Sequence, residues 1–370
     1  MRILYYVHCL YVGGAETIVT NNLLKLMEQG HDVFLVVNEL KHTFLEEKVQ
    51  KAGIKIISLW PEKRKNPVCR IVNSIHIRSM NYRKVWHGII KDVRPDIIHI
   101  HTFLDKFEPE GISLTRVFYT FHSDVERNLQ MGSELHKKKL KEYSDAGMTF
   151  FALSSKMKAD ITNALGQKKI IVIPNGVDIK TIQSQKVDKS AFRSENNIPQ
   201  DGFIVGHVGR FNPVKNHAKL FEVFSCVRKK NGNAYLVLVG TGSKNEKQNI
   251  DNLIDKYNLR NYVRPLGLRE DASALISAFD AFVLTSLSES FSLVLIEAQA
   301  QNVRCVTSDV VPEEVICTKK CFSLSVDDDS GKWASLILDS KERETVKYDI
   351  NAFSIEKVIQ DTLTAYSDSL

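Results

Sequence analysis

Nowhere in the 370 residues does an apolar stretch approach the roughly 18 uninterrupted residues that a membrane-spanning helix requires. The opening MRILYYVHCL breaks its apolar run at His8, too early for a secretion signal, and reads as a first buried strand. The protein is therefore expected in the cytosol. Cysteine is sparse: Cys9, Cys69, Cys226, Cys305, Cys317 and Cys321 show no CxxC pairing and no accompanying histidine pattern. That excludes a disulfide framework and a zinc site, and leaves mostly buried thiols. The G-x-G-x-x-G turn of a nicotinamide dehydrogenase is also missing, since the first glycine turn reads VGGAET.

Positive charge is in modest excess, +6 overall, and it is uneven. Residues 1–185 carry 27 Lys and Arg against 19 Asp and Glu, whereas the remainder carry 23 against 25. No helix-turn-helix, zinc or aromatic-basic signature accompanies that charge, so no nucleic-acid partner is expected. Residues 61–84 concentrate Lys63, Arg64, Lys65, Arg70, Arg78, Arg83 and Lys84 among Val68, Ile71, Ile75 and Met80, and Lys137, Lys138, Lys139 and Lys141 form a second run. Such a face suits an anionic membrane surface, which would make the protein peripheral on the inner face of the membrane; a solvated basic face is the plainer reading.

Size and composition predict two globular α/β domains. Short apolar runs at Arg2–Val7, Asp32–Asn38, Ile54–Leu59, Asp96–His101, Val117–His122, Thr149–Ser154 and Ile170–Ile173 have the length and β-branched content of buried parallel strands. The rhythm restarts with Phe203–Val208, Tyr235–Val239, Tyr262–Leu266, Ala281–Thr285, Arg304–Ser308 and Cys321–Leu324. Between the strands, Val19, Leu23 and Leu26, and later Leu220, Val223, Phe224 and Val227, recur at helical spacing. The expected architecture is two Rossmann-like, doubly wound sheets facing a central cleft that holds the reaction centre. They would cover residues 1–185 and 186–352, with a last helix in 353–370.

The sharpest chemical feature is Glu289-Ser-Phe-Ser-Leu-Val-Leu-Ile-Glu297, two carboxylates straddling a strand-to-helix turn. A helix starting near Ser292 would offer the N–H groups of Ser292, Leu293 and Val294 to a phosphate, with one carboxylate placed for sugar hydroxyls and the other for a ribose. Helix-terminal acids on a solvated face are the bland alternative. Gly209-Arg210-Phe211-Asn212-Pro213-Val214-Lys215-Asn216 sets two cations at the end of the first strand of the second half, where an anion would bind. In the first half, Gly13-Gly14-Ala15-Glu16 is a weak glycine turn, and His99, His101 and His122 sit at or beside strand ends, as structural histidines also do.

Taken in order, GGAE, TFH at 120–122, IPNGVD at 173–178, GRFNPVKN at 209–216, VGTG at 239–242 and ESFSLVLIEAQA at 289–300 resemble glycosyltransferase family 4 over nearly the whole chain. Within it, TSDVVPEEV at 307–315 looks most like bacterial transferases of capsule and exopolysaccharide assembly. The resemblance implies the GT-B fold, with the last helix, 353–370, crossing back onto the first domain, and a retaining hexosyltransferase that uses a nucleotide sugar, UDP-linked by preference, as co-substrate, with no cofactor or metal. The acceptor would be a glycan or a polyprenyl-diphosphate-linked saccharide.

It further implies that Arg210 and Lys215 hold the donor diphosphate, Glu297 the ribose and Glu289 the sugar hydroxyls. The N–H groups of Gly14 and Ser292–Val294 would complete the cradle, beside Ser290 and Phe291, and Gly267-Leu268-Arg269 would bind the base through its backbone. His122, Arg210, Lys215 and Glu289 would be catalytic; Glu16, His101 and His122 would meet the acceptor. Ser290 departs from the glycine that many members have at that place, which could narrow donor choice. Asp327-Asp328-Asp329 resembles a metal-binding D-x-D only superficially. A nucleotide-sugar epimerase or a phosphorylase on the same scaffold is the alternative, because fold alone does not fix function.

Overall fold

The computed structural model describes residues 1–11, 13–61, 77 and 79–370. Two compact units emerge, Met1–Gly176 joined by Ile355–Leu370, and Val177–Ser354. The change of unit comes at Gly176, ahead of residue 185. The intervening helix Ile179–Ser184 belongs to the second unit, where the Gln301 amide donates to the carbonyls of Ile182 and Gln185.

The first unit holds a seven-stranded sheet, with β1 (Arg2–Val7), β2 (Asp32–Val37), β3 (Lys55–Ser58), β4 (Ile97–Ile100), β5 (Val117–Thr120), β6 (Thr149–Ala152) and β7 (Ile170–Val172). The order is β3-β2-β1-β4-β5-β6-β7 and every neighbouring pair is parallel. The helix Gly14–Glu28 covers one face with Val19, Leu23 and Leu26. The final helix, Ile355–Ser367, joins the same core through Ile355, Val358, Ile359 and Tyr366, all nearly free of solvent.

The second unit repeats the plan with six strands in the order β10-β9-β8-β11-β12-β13. These are β8 (Phe203–Val208), β9 (Ala234–Val239), β10 (Val263–Gly267), β11 (Ala281–Leu284), β12 (Arg304–Ser308) and β13 (Cys321–Leu324). Its core gathers Leu220, Phe221, Val223, Phe224 and Val227 of the helix His217–Lys230 with Trp333 and Ile337. Two glycines are fixed by close approach. A Cβ on Gly206 would lie 1.9 Å from the Phe279 ring, and one on Gly240, at φ +141°, would lie 1.9 Å from the Gly209 carbonyl oxygen.

Each sheet reverses its winding once, between β1 and β4 in the first unit and between β8 and β11 in the second. At such a switch point the loops leaving the carboxyl ends diverge and open a crevice. The strand ends that carry the candidate residues flank these two points.

Candidate active site

In the second unit the loop after β8 and the loop after β11 are stitched together. The Leu287 N–H donates to the Val214 carbonyl at 2.7 Å, and the Thr285 hydroxyl reaches the Lys215 and Asn216 carbonyls at 3.2 and 3.1 Å. The Ser308 hydroxyl fixes the Ser286 carbonyl from β12 at 2.7 Å. Sequence reasoning passed over these hydroxyls; the signal available was the run of small polar residues, Thr285, Ser286 and Ser288, directly after a buried strand.

This stitching brings Lys215 and Glu289 together across 74 residues, with the ammonium 2.6 Å from Glu289 Oε1. The Ser286 hydroxyl donates to the same oxygen at 2.6 Å. Both side chains are largely shielded, at 17 and 11% exposure, so the pair is weakly screened by solvent. Because both donors reach Oε1, Oε2 is the carboxylate oxygen available to a ligand hydroxyl.

The helix Leu293–Ala300 begins at Ser292 without a side-chain cap. Its first-turn N–H groups, those of Leu293 and Val294, have no acceptor within the helix, which is the arrangement that attracts a phosphate. Ser292 adopts φ +66°, a left-handed conformation uncommon for a residue with a Cβ, and its buried hydroxyl has no partner. Backbone strain of this kind gathers at ligand sites. Ser290 is not in that region, so the departure from glycine costs no backbone strain. Phe291 packs into the core against Phe353, ring centroids 5.4 Å apart, and offers a ligand only its backbone. Glu297 lies further along the helix, and burial holds its carboxyl above the ordinary glutamate range, partly offset by a hydrogen bond from Ser273.

Arg210 is exposed. Hydrogen bonds from Ser243 hold the Glu246 carboxyl low, and the Arg210 charge adds to the effect. At Gly267-Leu268-Arg269, the Gly267 carbonyl accepts from Gly240 N–H at 2.8 Å, Leu268 is exposed, and Arg269 forms a forked pair with Asp271 at 2.8 and 2.7 Å. Two of the aspartates at 327–329 serve the chain itself: Asp328 accepts from the Ser325 N–H and pairs with Lys332, and Asp329 caps the helix Ser330–Leu338.

In the first unit, Gly14 opens its helix with nothing within 4 Å of where a Cβ would stand, and Glu16 lies in the first turn. His101 and His122 follow β4 and β5, with His101 Nδ1 and His122 Nε2 2.8 Å apart. Burial pushes the His122 imidazole down to about 4 and holds His101 well below its ordinary range, so both rings are neutral. Beside them His99 bridges Tyr366 and Thr120 at 2.5 and 2.7 Å, a polar row that hydropathy patterning does not reveal.

One part of the basic face is corrected. Lys139 does not point to solvent: its ammonium is buried against the carbonyls of Leu104, Asp105 and Phe107 and pairs with Glu108 at 2.8 Å. Lys137 and Lys138 pair with Glu134 and Glu142 on the same helix. Most of the 61–84 segment, namely residues 62–76 and 78, lies outside the described residues. Among the described residues no helix is long and apolar enough to cross a membrane.

Two family descriptions divide the chain: residues 12–181 match Glycosyltransferase Family 4, and residues 188–349 match Glycosyl transferases group 1. EpsF of Bacillus subtilis, named as a glycosyltransferase, is 32% identical over 46% of the chain and 42% of its own length. The UDP-Gal:alpha-D-GlcNAc-diphosphoundecaprenol alpha-1,3-galactosyltransferase of Escherichia coli is 30% identical over 38% of the chain and 37% of its own length. The matched part thus spans less than half the length of these curated relatives. Among solved structures, Anabaena HepE in complex with UDP-glucose superposes over 100% of both chains with a TM-score of 0.76 at 18% identity. The lipopolysaccharide outer core galactosyltransferase WaaB does so with a TM-score of 0.67, also over 100% of both chains at 18% identity. With both halves matched and the two-sheet fold shared, the chain belongs to glycosyltransferase family 4 and has the GT-B fold.

Proposed function

We propose that the chain is a retaining, metal-independent hexosyltransferase that moves a sugar from a UDP-sugar to a glycan or lipid-diphosphate-linked saccharide in bacterial surface-polysaccharide assembly. The observation that carries the donor half of this reading is the shielded Lys215–Glu289 pair beside the uncapped helix start at Ser292. Cation and helix N-terminus suit a diphosphate, and Glu289 Oε2 suits a sugar hydroxyl.

As the sugar–phosphate bond breaks, negative charge grows on the leaving diphosphate. Lys215, with Arg210, would stabilise it, while the first-turn N–H groups hold it in place. Glu297 would accept hydrogen bonds from the two ribose hydroxyls. The backbone of Gly267-Leu268-Arg269 would hold the base. With Glu289 engaged by a cation, it is a poor nucleophile, which supports attack by the acceptor on the face the phosphate leaves, the departing phosphate taking the acceptor's proton. Glu16, His101 and His122 are assigned to the acceptor in the first unit. The bacterial lipid-linked acceptor is supported by the Escherichia coli relative, a galactosyltransferase acting on alpha-D-GlcNAc-diphosphoundecaprenol. Action at the inner face of the membrane would follow from such an acceptor.

Thermal unfolding with UDP, GDP and ADP sugars tests the donor site. A ligand at 100 times its Kd adds ~2.7 kcal/mol, or roughly 5–10 °C for a domain of this size. A shift with UDP-sugars alone, lost in Glu297→Ala, is expected; no shift with any nucleotide would overturn the reading.

A further inference from the structure

Lys215 and Glu289 are both flexible side chains. The carboxylate ends on a broad, two-fold torsion, and the ammonium rides on a four-carbon stem. Left to themselves, the two could keep their pair while Oε1 and Oε2 changed places. A second donor stands in the way of that exchange. Ser286, the second residue after β11, is fully buried, and its hydroxyl lies 2.6 Å from Glu289 Oε1. A carboxylate only accepts, so the serine is the donor.

Ser286 is itself held on two sides. Its carbonyl accepts at 2.7 Å from the hydroxyl of Ser308, the last residue of β12 and also fully buried. The next N–H, that of Leu287, donates to the Val214 carbonyl at 2.7 Å. A hydroxyl on a one-carbon stem, carried by backbone pinned in this way, fixes the place of Oε1. Once Cγ, Cδ and Oε1 are placed, the carboxylate plane is set, and with it the direction of Oε2.

We infer that Ser286 is a positioning residue for the donor sugar: it holds Glu289 Oε1 while Lys215 turns its charge to the leaving diphosphate, so that Oε2 keeps its aim at a sugar hydroxyl. The assignment rests on the reading of the donor site given above. An ammonium drawn to phosphate oxygens shares its hydrogens and loosens its hold on Oε1, whereas the Ser286 bond is independent of the ligand's charge. Ser286 touches no part of the donor. Its influence therefore falls on the sugar and spares the nucleotide.

Titration calorimetry on the full-length protein separates the two. The probes are UDP and, of UDP-glucose, UDP-galactose and UDP-N-acetylglucosamine, the one that binds the parent tightest. Ser286→Ala should weaken the UDP-sugar about tenfold and leave UDP within about twofold. Ser286→Thr, which keeps the hydroxyl, should recover most of the lost affinity. A merely structural role would lower both affinities together. Equal loss for UDP and UDP-sugar in Ser286→Ala, or an unchanged UDP-sugar affinity, would overturn the assignment and leave the donor site standing. Absence of UDP and UDP-sugar binding by the parent would overturn the donor reading, and this assignment with it.

Discussion

Glu297 sits where its charge is disfavoured. Its carboxyl is raised by burial, so in the window above the ordinary glutamate value the folded chain binds more protons than the unfolded one, and stability falls as pH rises. Glu297→Gln should therefore raise the unfolding midpoint of the free protein, more at about pH 8 than at about pH 4.5, while abolishing the nucleotide-induced shift; scanning fluorimetry at the two pH values measures both. Lys215→Met makes the opposite trade. It leaves Glu289 shielded with only Ser286 beside it, and should cost ~1–3 kcal/mol in denaturant unfolding and lower kcat by about 10²–10³ if the cation serves the leaving group. At this scale the carboxylates and cations were legible because strand ends and helix starts could be placed around them. The Ser292 φ, the inward Phe291 and the inward Lys139 were not, because they depend on what the rest of the chain packs against them.

Among the elements, every strand anticipated from the apolar runs is present, several trimmed by a residue or two where the end leaves the ladder, as with Val117–Thr120 in place of Val117–His122, while β9 begins one residue earlier and β10 is shifted one residue along. Parallel strands buried on both faces write themselves as continuous apolar runs, which is why they read so directly. Strand order does not write itself in the same way, since it depends on pairing between distant segments. Gly240 shows how narrowly the loops fit: it follows β9, its N–H donates to the carbonyl of Gly267, the last residue of β10, and a Cβ on it would run into the Gly209 carbonyl oxygen after β8. Gly240→Ala adds a Cβ at positive φ into a carbonyl oxygen, and should destabilise the second unit by more than ~3 kcal/mol with loss of nucleotide binding, read by urea unfolding and thermal shift.

On the scale of the whole chain, the first unit is discontinuous, since residues 355–370 complete a core begun at residue 1. Removing them takes away Ile355, Val358, Ile359 and Tyr366, each fully buried side chain contributing about 1.5–3 kcal/mol. That total approaches the stability of an entire domain. A chain ending at residue 354 should keep a protease-resistant second unit and lose the first to limited proteolysis. The last helix was legible from its amphipathic pattern, and its return only from the family resemblance; the contact of Tyr366 with His99 and Tyr5 was not, because nothing in their spacing links residues so far apart. The discontinuity also sets an order of events during synthesis. The strands of the first unit leave the ribosome ahead of the second unit but cannot bury their last partner until residues 355–370 have followed, so the unit made between them is the first able to finish folding, and the nascent first unit has to wait with part of its apolar face uncovered.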